Sequence, residues 1–125
     1  ISSTKVYEDE TILAFLDLYP TTPGHVLIVP KTHIPTFDDA HPNVLKDWII
    51  VAQRLARAVK KGLSVEGFNL SQNNGTVAGQ AIPHLHLHLI PRRPNDGLRP
   101  WPFGAYASSE EMQLTAETIR HAIES

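Results

Sequence analysis

One segment constrains the fold more than any other: residues 84–90, which read His-Leu-His-Leu-His-Leu-Ile. Strict alternation of polar and apolar side chains indicates a half-buried β-strand, because successive side chains on a strand point to opposite faces of the sheet. We therefore expect the leucines to enter a core and His84, His86 and His88 to form a row on the other face, about 7 Å apart. Imidazole can act as a nucleophile, an acid or base, or a metal ligand, so such a row predicts a functional site.

Other interpretations of this row are open. The histidines could be polar side chains on a solvated outer face of the sheet. Two histidines at i and i+2 on a strand could also hold zinc together with a ligand from elsewhere in the chain. Three imidazoles fixed on one strand favour catalysis, and this is the leading hypothesis.

The composition is that of an ordinary globular domain and excludes several classes of protein. The 125 residues include 11 Lys and Arg against 13 Asp and Glu, a net charge of −2, which argues against a nucleic-acid-binding surface. No apolar run approaches the roughly 20 residues that span a bilayer, and no signal peptide is visible, so we expect a cytoplasmic protein that binds no membrane. The absence of cysteine excludes thiol catalysis within these residues.

The rest of the chain predicts four further strands. Residues 3–7 and 11–16 form a hairpin pattern around an acidic turn. Residues 25–29 make a nearly continuous apolar run, which is typical of a central strand. Residues 66–71 have the pattern of another strand, and Pro91 should close the histidine strand.

Two helices are predicted. Apolar residues recur at helical spacing from Pro42, a proline suited to a first turn, to Gly62, a candidate C-cap. Ser108 or Ser109 would cap a last helix over about residues 109–124, with Ser108 and Glu111 at capping-box spacing. The sum is an α+β domain: a mostly antiparallel sheet of about five strands, one long helix, and a C-terminal helix behind.

The polar loop before the histidine row supplies hydrogen-bond donors. A neutral imidazole can attack phosphorus if an acceptor holds its other ring nitrogen and if donors stabilise the phosphoryl oxygens. Such donors are the Thr76 hydroxyl, backbone N–H groups near Gly75 and Gly79, and the side-chain amides of Asn73, Asn74 and Gln80. An ordinary turn is the alternative for this loop, but its attachment to the histidines favours phosphate binding.

The alternating histidine pattern, preceded by Gly79-Gln80, resembles the signature of the histidine triad (HIT) family of nucleotide hydrolases and transferases. Residues 6–10, 14–17, 23–31 and 33–34 are also similar to the family in order and spacing. The resemblance implies a HIT-like fold, a single domain over residues 1–125 with its core at about 3–104, and a homodimer.

The resemblance also assigns roles to four histidines. His86 would be the nucleophile on the α-phosphorus and would form a nucleotidyl-histidine intermediate. His88 would contact the phosphate and assist the leaving group. His84 would orient His86, chiefly through its backbone carbonyl, and His25 would complete the cluster, although a buried core histidine is the alternative for His25.

The nucleotide would be held by five further residues if the resemblance is followed. Asp17 matches the position that hydrogen-bonds the ribose hydroxyls. Phe15 and Leu18 match apolar positions against a purine, with plain core packing as the alternative for both. Asn73 matches an amide near the α-phosphate, and Gln80 lies in the phosphate loop.

The branch of the family decides the expected substrate. Asp17 and Trp101-Pro102-Phe103-Gly104 are similar to the nucleoside phosphoramidase (Hint) branch, in which that Trp approaches the partner subunit's site. Ala81 departs from it, since many members have a serine there that assists the leaving group. The leading hypothesis is a hydrolase of purine nucleoside phosphoramidates that releases the nucleoside monophosphate. The alternatives are a dinucleoside polyphosphate hydrolase and a nucleotide-binding module that acts through protein partners.

No cofactor or metal is required for this chemistry. Many bacterial and fungal relatives bind a structural zinc through a Cys-x-x-Cys and two histidines, which would correspond to His33 and His84. Without cysteine the residues present cannot build that site. We therefore expect such a zinc only if an upstream segment supplied the missing ligands.

Overall fold

The computed structural model describes residues 4–99 and 101–124, and its centre is an antiparallel sheet. The five strands are β1 (Lys5–Glu8), β2 (Ile12–Leu16), β3 (Val26–Pro30), β4 (Gly67–Ser71) and β5 (Leu87–Arg92), joined in the order β1-β2-β3-β5-β4. Each neighbouring pair is antiparallel. With the long helix α1 (Pro42–Gly62) and the C-terminal helix α2 (Ser109–Glu124), the predicted α+β architecture is confirmed.

The turn between β1 and β2 is held by Asp9. One carboxylate oxygen of Asp9 accepts the N–H groups of Thr11 and Ile12, at 2.8 Å each, and the other accepts the Tyr7 hydroxyl at 2.6 Å. These hydrogen bonds lower the pKa of Asp9 to about 2 because they stabilise its charged form, and the bond from Tyr7 contributes most. The predicted hairpin is therefore present, although its residue 3 lies outside the described residues.

The core fills the space between α1 and one face of the sheet. The sheet side chains that enter it alternate along the strands, as one buried face requires; they include Ile12, Ala14, Ile28, Leu87 and Leu89. Trp48 of α1 is 1% exposed, and its indole N–H donates to the Ile28 carbonyl at 2.9 Å. The opposite face of the sheet is left free for a site.

The histidine strand differs from its prediction at both ends. Regular pairing begins only at Leu87, so His84 and His86 precede β5. Leu85 is nevertheless fully buried, and its N–H donates to the Ile34 carbonyl at 2.6 Å, so the alternation of faces holds through the irregular part. Pro91 lies within β5 and does not close it. Because β3 pairs with β5 only as far as Leu89, β5 is paired on one side at Pro91, where a missing N–H is tolerated.

The helix ends show one wrong prediction and one correct one. Gly62 is not the C-cap of α1: the helix runs through Gly62, and Ser64 takes the left-handed backbone with a φ of 54°. Helix α2 begins as expected, since the Ser108 hydroxyl accepts the Glu111 N–H at 3.1 Å.

The prediction that α2 lies behind the sheet is wrong. Within the described residues it contacts no other helix or strand, so it does not lie behind the sheet. Neither α1 nor α2, over the part of the chain described, is long and apolar enough to cross a membrane. That residues 1–125 form one domain with its core at about 3–104 stays a prediction.

Candidate active site

A row of paired residues crosses the free face of the sheet and contains His88. Phe15 of β2 pairs with Leu27 of β3, Leu27 pairs with His88 of β5, and His88 pairs with Ser71 of β4. Directly opposed residues on neighbouring strands point to the same face. The sheet therefore places an aromatic side chain on one side of His88 and the edge strand on the other.

His25 and His88 share a proton in a chain of hydrogen bonds that fixes both rings. The Thr21 N–H donates to Nδ1 of His25 at 3.0 Å, so the proton of the neutral His25 ring is on Nε2. That Nε2 lies 2.9 Å from Nδ1 of His88 and donates to it. The proton of His88 is therefore on its own Nε2, where it can serve as a hydrogen-bond donor to a ligand.

Burial keeps these two rings neutral. His25 is 4% exposed, and loss of hydration lowers its pKa below the ordinary value of 6.5. Burial also lowers the pKa of His88, with smaller contributions from His86 and His25. Asp17 opposes this for both rings, and its Oδ2 lies 3.7 Å from Nε2 of His25.

His86 has one ring nitrogen that no hydrogen bond engages within the described residues. Its Nδ1–H donates to the backbone carbonyl of His84 at 2.8 Å, which leaves the lone pair on Nε2. The ring stands edge-on to that of His88, with centroids 5.0 Å apart and planes 72° apart. The Nε2 lone pair of His86 thus belongs to a ring that lies beside one carrying an Nε2 proton.

The ring of His84 belongs to the scaffold instead of the cluster. Its Nε2 donates to the Pro30 carbonyl at 2.8 Å, and its Nδ1 accepts the Ile34 N–H at 3.4 Å. The same ring stacks on His33, with centroids 5.4 Å apart. The contact between His84 and His86 is made by the backbone, where we expected it, and the orienting role itself stays a prediction.

Gln80 holds the polar loop in place. Its side chain is buried; Oε1 accepts the Gly75 N–H at 2.7 Å, and Nε2 donates to the Pro35 carbonyl at 2.6 Å. Gly75 and Gly79 have φ of 88° and 94°, which only glycine adopts readily. Nucleotide binding by Gln80 stays a prediction, and in this structure its amide is engaged by the loop itself.

The side-chain amides of Asn73 and Asn74 differ in whether the loop itself engages them, and phosphate binding by Asn73 stays a prediction. Asn74 is tied by the Phe37 N–H at 2.7 Å and by the Gln72 amide at 3.0 Å. Within the described residues no hydrogen bond engages the side-chain amide of Asn73, whose Nδ2 lies beside Gly79. The amide donor of this loop that remains available is therefore that of Asn73.

The residues expected to contact the base lie on the β2 side of the histidines. Phe15 is half-buried on the site face, and Leu18 is 68% exposed, so Leu18 is not a core residue. Asp17 lies between them in the chain, and its Oδ1 accepts the Tyr19 N–H at 2.9 Å. Asp17 and Phe15 lie near the histidines, and the contacts of all three residues with a nucleotide stay predictions.

Two groups of residues invite a test for metal binding. Ligand atoms of Asp17, His25 and His88 lie within 4.8 Å of one another, but the two histidines share a proton that a metal ion would have to displace. His33 and His84 do not fit a structural zinc, because both ring nitrogens of His84 are already engaged. The residues present offer no cysteine to complete such a site.

Sequence reasoning missed the residues that fix the His25 ring. The Thr21 N–H is a backbone group and leaves no signature in the sequence. The Thr22 hydroxyl donates to the Pro91 carbonyl at 2.7 Å and so ties the turn before β3 to β5. The available signal was a pair of threonines between Pro20 and Pro23, but the sequence does not show that Thr22 is buried.

Comparison with known proteins now identifies the class. A family profile described as HIT domain matches residues 1–95, so the chain belongs to the HIT family. It is similar to the crystal structure of a HIT family member from Bacillus subtilis, with a TM-score of 0.87 and 35% identity, covering 97% of this chain and 88% of that one. The predicted family and fold are confirmed.

Two relatives carry names that state an activity. One is an adenylylsulfatase of Arabidopsis thaliana, 42% identical over 94 residues that cover 75% of this chain and 48% of that protein. The other is an adenosine 5′-monophosphoramidase of Saccharomyces cerevisiae, 43% identical over 93 residues that cover 74% and 56%. This chain therefore spans about half the length of these two relatives, which are hydrolases of nucleotides by name.

Proposed function

We propose that this chain is a nucleotide hydrolase or transferase that cleaves purine nucleoside phosphoramidates, or related conjugates, and releases the nucleoside monophosphate. The observation that carries the proposal is the pair of ring states at His86 and His88. His86 offers the lone pair of its Nε2, because its Nδ1–H donates a hydrogen bond to the His84 carbonyl. His88 offers the proton of its own Nε2, because its Nδ1 accepts from His25. The family and the relatives named for adenylyl substrates support nucleotide chemistry.

The reaction takes two displacements at phosphorus. His86 Nε2 forms a bond to the α-phosphorus while the phosphorus–nitrogen bond to the leaving group breaks. The leaving nitrogen keeps that electron pair and takes one proton from water, assisted by a hydrogen bond from His88 Nε2–H. A water molecule then attacks the phosphorus, the bond to His86 breaks, and the released proton returns to solvent. His86 recovers its electron pair, so the enzyme is regenerated.

The loop and β2 side of the site supply the remaining contacts. The Asn73 amide and backbone N–H groups near Gly79 would donate to the phosphoryl oxygens, where charge stabilisation matters most. Asp17 would accept the ribose hydroxyls, and Phe15 and Leu18 would lie against the base. No metal ion or other cofactor is part of this proposal.

Turnover of adenosine 5′-phosphoramidate by His86→Ala tests the proposal. Without its nucleophile the variant should lose activity by about a thousandfold or more, while it still binds adenosine monophosphate. His41→Asn is the matched control, because it removes an exposed imidazole at the N-cap of α1 while asparagine can still accept the Asn43 N–H. Unchanged turnover in His86→Ala would overturn the mechanism.

A dinucleoside polyphosphate hydrolase is the second candidate. Ala81 is exposed and offers no hydroxyl to a leaving amine, whereas a polyphosphate leaves without such help. Assays of adenosine 5′-phosphoramidate and diadenosine triphosphate side by side separate the two activities. Faster cleavage of the dinucleotide assigns the second one, and failure to cleave either favours a nucleotide-binding module that acts through protein partners.

The proposed enzyme is a cytoplasmic homodimer that binds neither nucleic acid nor a membrane. Strand β4 is an edge of the sheet, and a mostly apolar groove of about 380 Å³ runs between it and α1. Its lining is Ile49, Ala52, Ala56, Phe68 and Leu70, together with Gln53, Arg57 and Lys60. A second copy could pair with this edge and cover the groove. Leu70→Lys should convert a dimer to a monomer in light scattering. A wild-type monomer at micromolar concentration would refute the dimer.

A further inference from the structure

A second cleft adjoins the histidines on the side away from β2. It has a volume of about 770 Å³, and its lining includes Asn69, Ser71, Ile90, Arg99, Trp101 and Phe103. Ser71 lies opposite His88 in the β4–β5 ladder, and Ile90 follows His88 by two residues on the same face. The cleft therefore begins one residue pair from the reacting histidines.

The order of the strands tells which part of a substrate reaches this cleft. The residues proposed to hold the nucleoside are on and just after β2, on one side of His88. The cleft lies between β5 and β4, on the other side. In a displacement at phosphorus the leaving group lies roughly opposite the entering nitrogen of His86. The nucleoside is attached to phosphorus by a different bond, so it extends in a different direction from the leaving group. The leaving group is the part that can enter the cleft.

The charge of the cleft comes from Arg99. The other arginine of its lining, Arg92, is neutralised by Asp96, which accepts from Nε at 2.6 Å and from a terminal nitrogen at 2.7 Å. Within the described residues no hydrogen bond or ion pair engages the Arg99 guanidinium. Among the described residues that line the cleft there is no Asp or Glu, which leaves one uncompensated cation among uncharged polar and apolar side chains.

We propose that this cleft is a leaving-group subsite in which Arg99 selects substrates whose leaving group carries an anion, a carboxylate or a phosphate. Guanidinium forms paired hydrogen bonds with either anion. Phe103 and Ile90 supply apolar surface for the rest of the leaving group. The inference rests on the proposed function, because it concerns the group that the displacement at phosphorus releases.

The test compares two substrates that differ by one charge: adenosine 5′-phosphoramidates of phenylalanine and of phenylalaninamide. The wild-type enzyme should prefer the carboxylate by about fivefold in kcat/KM, the range expected for an exposed, charge-assisted hydrogen bond. Arg99→Gln should bring the ratio of the two kcat/KM values close to one, because it lowers kcat/KM only for the substrate that carries the carboxylate. Arg99→Lys should keep part of the preference, because the charge remains.

Arg93→Gln is the matched control, since Arg93 lies on the same segment but reaches the Pro23 carbonyl at 3.4 Å, outside the cleft. Diadenosine triphosphate is the third substrate. If Arg99→Gln lowers kcat/KM only for diadenosine triphosphate, the cleft selects a phosphate leaving group. If it lowers kcat/KM only for the phenylalanine conjugate, the cleft selects a carboxylate.

Two results overturn the inference. One is a wild-type ratio near one together with an unaffected diadenosine triphosphate reaction in Arg99→Gln. The other is an equal fall in kcat/KM for all three substrates in Arg99→Gln. If the wild-type enzyme cleaves none of the three, the proposed function itself fails.

Discussion

The contact between His25 and His88 makes a sharp prediction about the state of the His88 ring. His25→Leu keeps much of the buried volume but removes the donor that lies 2.9 Å from Nδ1 of His88. A buried hydrogen bond contributes about 1 kcal/mol net, and about 1.4 kcal/mol corresponds to a factor of ten. The ratio of the Nε2–H to the Nδ1–H form of His88 should therefore fall about fivefold. Because the population of the favoured form changes less than this ratio, kcat should fall by a smaller factor.

His25→Gln is the matched variant, because a glutamine amide can reach the position of the lost Nε2–H and donate again. Long-range ¹⁵N–¹H NMR spectra of the histidine rings report which nitrogen of His88 carries the proton, independently of activity. We expect the Nε2–H form to dominate in the wild type, to weaken in His25→Leu and to recover in His25→Gln. An unchanged His88 spectrum and an unchanged kcat in His25→Leu would refute the hydrogen-bond chain from Thr21 to His88.

The remaining predictions concern pH and the core. Because burial holds the pKa of His25 and of His88 below 6.5, both rings stay neutral above that pH, and their ring signals in an NMR titration should shift only as the pH drops below 6.5; a midpoint above 6.5 for either ring would contradict this. For Asp9, whose pKa is lowered to about 2, the stabilising contribution is complete above its unfolded value and is lost as the pH falls from about 4 to about 2. Acid titrations of wild type and Asp9→Asn by circular dichroism should differ in that window, and identical curves would argue against the Asp9 turn. Trp48→Ala should cost about 3–5 kcal/mol in urea unfolding, since Trp48 is 1% exposed, and a loss under 1 kcal/mol would show that the core is not packed as described.

The fold was accessible from the sequence because its main signals are local. The alternation over residues 84–90 correctly separated the buried Leu85, Leu87 and Leu89 from the histidines. Pro42 marked the first turn of α1, and Ser108 marked the cap of α2. Each of these signals depends on residues within a few positions of one another.

The uses of the histidines were less accessible, because they depend on distant partners. His84 donates to the Pro30 carbonyl, 54 positions away, and His25 meets His88 at a separation of 63. His84, His86 and His88 look equivalent in the sequence, but the ring of His84 belongs to the scaffold and the other two rings lie in the site. The exposed position of α2 had no local signal either, since an amphipathic pattern says that a face is apolar but not what covers it.

The most direct test of the central claim is to trap the covalent intermediate. Enzyme mixed with adenosine 5′-phosphoramidate and quenched within milliseconds should carry one adenylyl group, detected by mass spectrometry under conditions that spare phosphorus–nitrogen bonds. Fragmentation of the peptide that spans residues 84–90 should assign the group to His86, and His86→Ala should carry none. A group on His84 or His88, or turnover by the wild type with no adduct at any quench time, would contradict the account.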